Sequence, residues 1–216
     1  WGIPEARPYL RARLGLANSL WSAGRREEAI GHLQEMLRLT PDDNQGVRYL
    51  IGAERLRIGD NEGAIVAFGK CLHEEVGCAF GLALAKLRAR GPSAEIGEAL
   101  VTGFAANRYV TPMLLGETWE RLDAFHGTNM AEPEWAHDVI VAQADLWQAV
   151  PRGAELLRVW WMATPVVSWR RKLDEIMIRL KDLPASNARS AAVSEWSALQ
   201  SEPVIRELVR SVRAAS

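Results

Sequence analysis

Apolar residues recur at intervals of three and four along most of the chain, which is the spacing of one buried face of an α-helix. The first such run comprises Leu10, Leu14, Ala17 and Leu20. No stretch alternates apolar and polar residues for long, as a half-buried strand would require. Gly24, Gly59 and Gly91 each follow a periodic run, where a glycine in the left-handed conformation commonly ends a helix. The pattern therefore predicts an all-α fold of short antiparallel helix pairs.

A second periodicity links the predicted pairs. The segment from Gly24 to Ile30 is echoed by the segment from Gly59 to Ile65, a spacing of 35 residues. One helix pair cannot bury its own apolar face and needs a stacked neighbour, so this period predicts a helix-pair solenoid. Helix-forming Ala and Leu support the same fold class, since they number 56 against 31 for Val, Ile and Thr.

The first repeat, about residues 10–43, resembles a tetratricopeptide repeat. The matching residues are Leu16 and Ala17 at the tight helix-packing positions, then Leu20, Gly24, Ala29 and Pro41. A second repeat over 44–76 keeps Gly59, Ala64, Phe68 and Leu72, and a third over 77–108 keeps Gly91. The resemblance implies a repeat region over residues 1–116.

Longer blocks resemble a bacterial and plant subgroup of the tetratricopeptide family, with a Tyr-Leu-Leu-Gly-type block after its repeats. These blocks are residues 7–17, 43–50 and 107–116, although Arg108 and Met113 depart from the subgroup pattern. The resemblance covers roughly residues 7–157 and implies a scaffold or binding role without a defined catalytic residue. Members also carry sequence before the first block, so a further N-terminal part is expected ahead of Trp1.

In tetratricopeptide proteins the ligand lies against the first helices of successive repeats. That geometry implies a peptide-binding groove with these candidate residues: Arg11, Leu14, Asn18, Trp21, Tyr49, Arg57 and Arg88. Arginines beside aromatic rings suit an acidic peptide, because guanidinium groups bind carboxylates bidentately. The alternative is that Trp21 and Tyr49 only pack between helices.

The second half of the chain, residues 117–216, has a different pattern and holds seven of the nine tryptophans. Proline positions and apolar spacing predict helices over 133–149, between Pro151 and Pro165, over 166–183 and 187–200, and from Pro203 onward. We expect a helical bundle in which the 133–149 helix caps the repeats and large indole rings fill irregular junctions. The helices from 166 to 212 could alternatively form a homodimer.

Composition narrows the function classes. The net charge is -1 and apolar residues make up 48% of the chain, so a globular protein without membrane spans is expected, in the cytoplasm. Cys71 and Cys78 cannot form a disulfide framework, which favours a reduced, intracellular protein. Their spacing from His73 matches no usual zinc site, so no metal or cofactor is expected.

The leading hypothesis is a non-catalytic interaction or scaffold module that binds a protein or peptide, through the groove or the C-terminal helices. Arg121 and His126 have the spacing of the active-site pair of helical ribonucleases of the HEPN superfamily, which keeps a nuclease as a remote alternative. Near-neutral charge argues against nucleic-acid binding as a main role. Such binding would use a basic set: Arg170, Arg171, Lys172, Arg206, Arg210 and Arg213.

Overall fold

The computed structural model describes residues 3–43, 45–125 and 129–214, with Ala94 described by its backbone alone. Within these ranges the chain forms twelve α-helices and a short 3₁₀ turn at Pro4–Ala6, and it contains no β-strand. The prediction of an all-α fold is confirmed. The predicted turn at 126–129 falls mostly outside the described residues.

The first six helices are α1 (Arg7–Ser22), α2 (Arg26–Leu39), α3 (Val47–Arg57), α4 (Asn61–Gly69), α5 (Val76–Arg90) and α6 (Ala94–Ala106). The next six are α7 (Val110–Leu115), α8 (Pro133–Gln148), α9 (Gly153–Met162), α10 (Thr164–Asp182), α11 (Asn187–Leu199) and α12 (Glu202–Ala214). The C-terminal helices begin and end within about two residues of the predicted positions.

Helices α1 to α5 each pack against the next one in the chain, and α3 also contacts α5. The three turns that follow α1, α3 and α5 contain Gly24, Gly59 and Gly91, with φ of 76°, 84° and 72°. These values lie in the left-handed region that glycine adopts without steric cost, as predicted from their positions. The glycines therefore let each helix end in a tight turn.

One phenylalanine ring joins α3, α4 and α5. Phe68 of α4 is fully buried, and a β-carbon at Gly52 of α3 would lie 2.5 Å from its Cε1 atom. A β-carbon at Gly81 of α5 would lie 2.3 Å from its Cζ atom. The absence of side chains at both glycines allows the ring to fit between the two helices.

The first repeat packs differently from the prediction at one position. Ala17 and Ala29 are buried, but Leu16, predicted to occupy a tight packing position, is 46% exposed. Leu10, Ala17 and Leu20 share the buried face of α1, and Leu16 lies about 100° around the helix from Ala17. Leu16 therefore points away from α2.

The C-terminal helices pack against the first half of the chain instead of standing apart. Helix α8, predicted to cap the repeats, contacts α3, α5, α7 and α9, while α12 contacts α6 and α10. The largest hydrophobic core runs from Ala53 to Val212 and so includes residues on both sides of the predicted boundary at 116. The two halves share one core.

Four of the tryptophans are buried in that core, and they fill helix junctions as expected: Trp147, Trp160, Trp161 and Trp169. The Trp169 Nε1 donates a hydrogen bond of 2.9 Å to the Leu199 carbonyl. The apolar faces of α10 and α12, considered for a homodimer, are buried within the chain. Those faces are therefore already covered.

Cys71 and Cys78 form a disulfide that links the turn after α4 to the first turn of α5. The turn brings their Cα atoms to 5.8 Å, a distance typical of disulfides. The expectation of two reduced thiols is therefore corrected, because the antiparallel turn places the two side chains together. None of the helices within the described ranges is both long and apolar enough to cross a lipid bilayer.

Candidate functional site

Helix α8 lies against the same side of the protein as the predicted groove residues. The buried Gln143 donates a hydrogen bond of 2.8 Å from Nε2 to the Gly77 carbonyl of α5. Arg57 of α3 donates one of 2.7 Å to the Ala142 carbonyl of α8. These contacts fix α8 beside α3. Two hollows that share Leu50 follow, one lined by α1 and α3 and the other by α3 and α8, and we call the pair the channel.

The first hollow of this channel, which we call the tryptophan cleft, has a volume of about 530 Å³. Its lining residues are Leu14, Asn18, Trp21, Ser22, Arg26 and Leu50. Trp21 is partly exposed there, and the guanidinium of Arg57 lies over its ring, 5.3 Å from the centroid. The cleft therefore offers an aromatic surface held in place by a cation.

The second hollow, which we call the acidic pocket, has a volume of about 520 Å³ and is bounded by α3, the start of α5 and α8. Its lining residues are Asp43, Gln45, Gly46, Tyr49, Leu50, Glu75, Val76, Gly77, Trp135, Asp138 and Val139. Leu50 lines both hollows, so they adjoin each other. Together they form one surface with three acidic side chains at one end.

Electrostatics in the acidic pocket are dominated by like charges. Burial raises the pKa of the Glu75 carboxyl above its ordinary value, and the charges of Asp43, Glu74 and Asp138 raise it further. Asp43 accepts hydrogen bonds of 2.7 Å and 2.9 Å from the backbone N–H groups of Val47 and Arg48 at the start of α3. Asp43 thus has a structural role, whereas Glu75 faces the pocket.

The end of the channel at the tryptophan cleft is bordered by paired charges, since Arg26 lines the cleft and Arg57 lies over the Trp21 ring. Glu54 is fully buried and forms ion pairs with Arg26 and with Arg57, the latter at 3.0 Å. Arg57 also pairs with Asp145 of α8 at 3.0 Å. Each of these charges has an opposite charge within the chain, so this network connects helices α2, α3 and α8.

The predicted groove residues separate into three groups. Asn18 and Trp21 lie together in the tryptophan cleft with Leu14, and Tyr49 lies in the adjoining acidic pocket. Arg57 is engaged by α8, and Arg88 donates a hydrogen bond of 2.9 Å to the Leu56 carbonyl at the end of α3. Arg11 lies on the exposed side of α1, outside both hollows.

Sequence reasoning missed four residues of the channel: Glu75, Trp135, Asp138 and Asp145. Glu75 follows His73 and Glu74, and such a polar run is typical of a solvated turn. The other three residues lie on a helix that was predicted only to cap the repeats. The only signal was the apolar residues on two sides of the 133–149 segment, which indicated a helix buried between two surfaces.

The residues of the remote alternatives are partly engaged. Arg121 forms ion pairs with Asp123, Glu132 and Glu134, while His126 lies outside the described residues. In the proposed basic set, Arg206 and Arg210 pair with glutamates of their own helix. Burial lowers the pKa of Arg170 to about 10, and its guanidinium lies over the Trp161 ring.

Among the described residues, no group of three or more His, Cys, Asp and Glu side chains is arranged to hold a metal ion. Comparison of the chain with protein-family models, with curated proteins and with solved structures finds no match. The channel's geometry is therefore the basis for inferring what the protein does.

Proposed function

We propose that this protein is a non-catalytic interaction module of the tetratricopeptide type, which binds a segment of a partner protein in the channel between α1, α3 and α8. The observation that carries the proposal is the adjoining pair of hollows, joined at Leu50, on the side of the helix pairs where the repeat resemblance implies a groove. The 35-residue period and the left-handed glycines support the repeat assignment.

The exposed face of α8 adds an apolar contact to this surface. Asp138 lines the acidic pocket and Asp145 pairs with Arg57, and Val141 lies between them at helical spacing. Val141 is 85% exposed, the highest value among the large apolar residues reported for the described chain. A partner segment bound in the channel would have this apolar side chain available for contact on α8.

The partner's charge is proposed to differ from the acidic peptide suggested by the sequence. Arg57 and Arg88 hold groups of their own chain, so their donors are committed to the fold. The charge that remains in the channel comes from the carboxylates of the acidic pocket. A basic segment fits this surface better than an acidic one.

A cytoplasmic location stays a prediction. It was supported by the expectation of reduced cysteines, and the disulfide between Cys71 and Cys78 removes that support. The homodimer alternative stays a prediction, although the buried apolar residues of α10 and α12 pack within the chain.

Site-specific photo-crosslinking tests the proposed surface. A benzophenone amino acid placed at Val141 should capture a partner in cells, because Val141 is exposed on α8 one turn after Asp138, which lines the acidic pocket. The matched control is the same amino acid at Val66, which is 59% exposed and lies on α4, a helix that contributes no residue to either hollow. Capture should also fall when Trp21→Ala is added, since the change removes the aromatic surface of the cleft.

Equal capture of the same protein from Val141 and Val66, or capture unaffected by Trp21→Ala, would contradict binding in the channel. Binding in the channel requires that the partner crosslinks from Val141 but not from Val66, and that Trp21→Ala lowers this crosslinking.

A further inference from the structure

The acidic pocket contains hydrogen-bond acceptors that the chain itself does not satisfy. The carboxylates of Glu75 and Asp138 form no ion pair or hydrogen bond within the described part of the chain. The Oε1 atom of Gln45 is shielded from solvent and also has no hydrogen-bond partner. The residues that carry these three acceptors line one cavity, and the Tyr49 hydroxyl, whose residue also lines it, likewise has no hydrogen-bond partner among the described residues.

This lack of partners is unusual for the surrounding surface. Nearby Asp43 accepts two backbone hydrogen bonds, Glu54 binds two arginines, and Asp145 binds Arg57. Arg48 offsets part of the charge of Asp43 and Glu74, but it pairs with neither Glu75 nor Asp138. Placing these two carboxylates near the others costs free energy, and a bound cation would relieve that cost. The fold thus leaves a specific deficit of positive charge and of N–H donors at this position.

Aromatic residues form part of the same cavity. Trp135 of α8 is partly buried there, and Tyr49 of α3 lies nearby with its ring packed against the backbone of Gly77. Faces of aromatic rings attract cations, and the attraction is stronger for groups that are partly desolvated. Carboxylates, an amide oxygen and aromatic rings together make a suitable environment for an organic cation.

We infer that the acidic pocket binds an arginine side chain of the partner segment that lies in the channel. A guanidinium carries five N–H donors in a planar arrangement and can serve several acceptors at once while it stacks on a ring. Lysine offers three donors on a compact, strongly hydrated ammonium, and so suits this acceptor set less well. The inference rests on the proposed function, because it specifies the chemistry of the segment that the channel binds.

Nuclear magnetic resonance titration tests the inference without a known partner. The probe is Nα-acetyl-arginine N-methylamide, and the reporter is the indole N–H signal of Trp135, assigned by its loss in Trp135→Phe. The citrulline analogue is the matched control, since it has nearly the same shape without the charge. We expect saturable shifts with arginine and at least about tenfold weaker binding of citrulline, because charge-assisted hydrogen bonds are the stronger ones.

Two variants locate the binding. The double variant Glu75→Gln/Asp138→Asn keeps the shapes of both side chains and should weaken arginine binding by at least about tenfold. Asp182→Asn, at the exposed end of α10, removes a charge outside the channel and should leave the affinity unchanged. Unchanged dispersion of the remaining indole signals shows that each variant is folded.

Three results would overturn the inference: equal binding of citrulline and arginine, equal binding of the lysine and arginine analogues, or wild-type affinity in the double variant. A fourth result would also overturn it: equal weakening by Asp182→Asn, which would attribute the effect to overall charge. If Val141 captures a partner whose binding is indifferent to Glu75→Gln/Asp138→Asn, the channel function stands and the arginine pocket fails. If the probe binds and no partner is captured, the pocket stands and the channel function fails.

Discussion

Carboxylates lie at both ends of the channel, but the two ends differ in how completely arginines pair with them. At one end, buried Glu54 and exposed Asp145 are neutralised by Arg26 and Arg57. At the other end, Glu75 and Asp138 have no cation within the described chain. The comparison teaches that paired charges between α3 and α8 stabilise the fold, whereas the unpaired ones are available to a ligand.

Removing the cation at the paired end should have the largest effect. Arg57→Met leaves fully buried Glu54 with Arg26 alone and releases α8, so the free energy of unfolding should fall by about 3 kcal/mol. Urea denaturation followed by circular dichroism measures the change. Arg90→Met, which removes only exposed ion pairs with Glu62 and Glu95, should change it by less than about 0.5 kcal/mol.

A similar loss in both arginine variants would show that the paired end has no special structural role. If Arg57→Met leaves stability unchanged, the contrast between the two ends would disappear.

Opening the disulfide should have the second largest effect, and it acts at the unpaired end. Cys71 and Cys78 close a short loop that carries Glu75, so reduction should lower the free energy of unfolding by about 2 kcal/mol. The measurement is urea denaturation with and without a reducing agent. The variant Cys71→Ala/Cys78→Ala should be insensitive to the reductant, and an equally insensitive wild type would argue against the bond.

The smallest expected effect is a gain in stability. In Glu75→Gln the repulsion from Asp43, Glu74 and Asp138 disappears, although Arg48 already offsets part of the charge of Asp43 and Glu74. We expect the free energy of unfolding at pH 7 to rise by about 0.5 kcal/mol. Such a gain would indicate that the wild-type residue is retained for binding at some cost in stability.

The pH dependence of that gain has a definite sign. The folded-state pKa of Glu75 lies above its unfolded value, so its contribution to stability is fully present below the unfolded pKa. It is lost as the pH rises through the folded pKa. Wild type and Glu75→Gln should therefore be equally stable in acid and diverge toward neutral pH. A constant difference at every pH would contradict this account.

Local signals in the sequence predicted the fold class and most helix ends. Gly24, Gly59 and Gly91 were predictable because a left-handed turn requires a specific residue type, and Pro133 because the first helical turn tolerates proline. Exposure of Leu16 was not predicted, since the repeat resemblance assigns a position without showing which neighbours are present at the end of the stack.

The sequence predicted the part of the candidate site that α1 and α3 contribute, but not the part that involves α8. Asn18, Trp21 and Tyr49 follow from the repeat resemblance, because they lie on first helices of successive pairs. Nothing in the amphipathic pattern of 133–148 specifies which surface of the repeats the helix will cover. Without the position of α8, two contacts could not be deduced. One is the bonding of Arg57 to Ala142 and Asp145 of α8, and the other is the placement of Glu75 and Asp138 in the same pocket.

The contact of Phe68 with Gly52 and Gly81 also has an evolutionary consequence. Because one ring occupies the space that a side chain at either glycine would need, neither glycine can be enlarged while the ring stays. A descendant that gains a methyl group at position 52 or 81 must shrink or move the aromatic side chain. These three positions, on three successive helices, should therefore vary together among relatives.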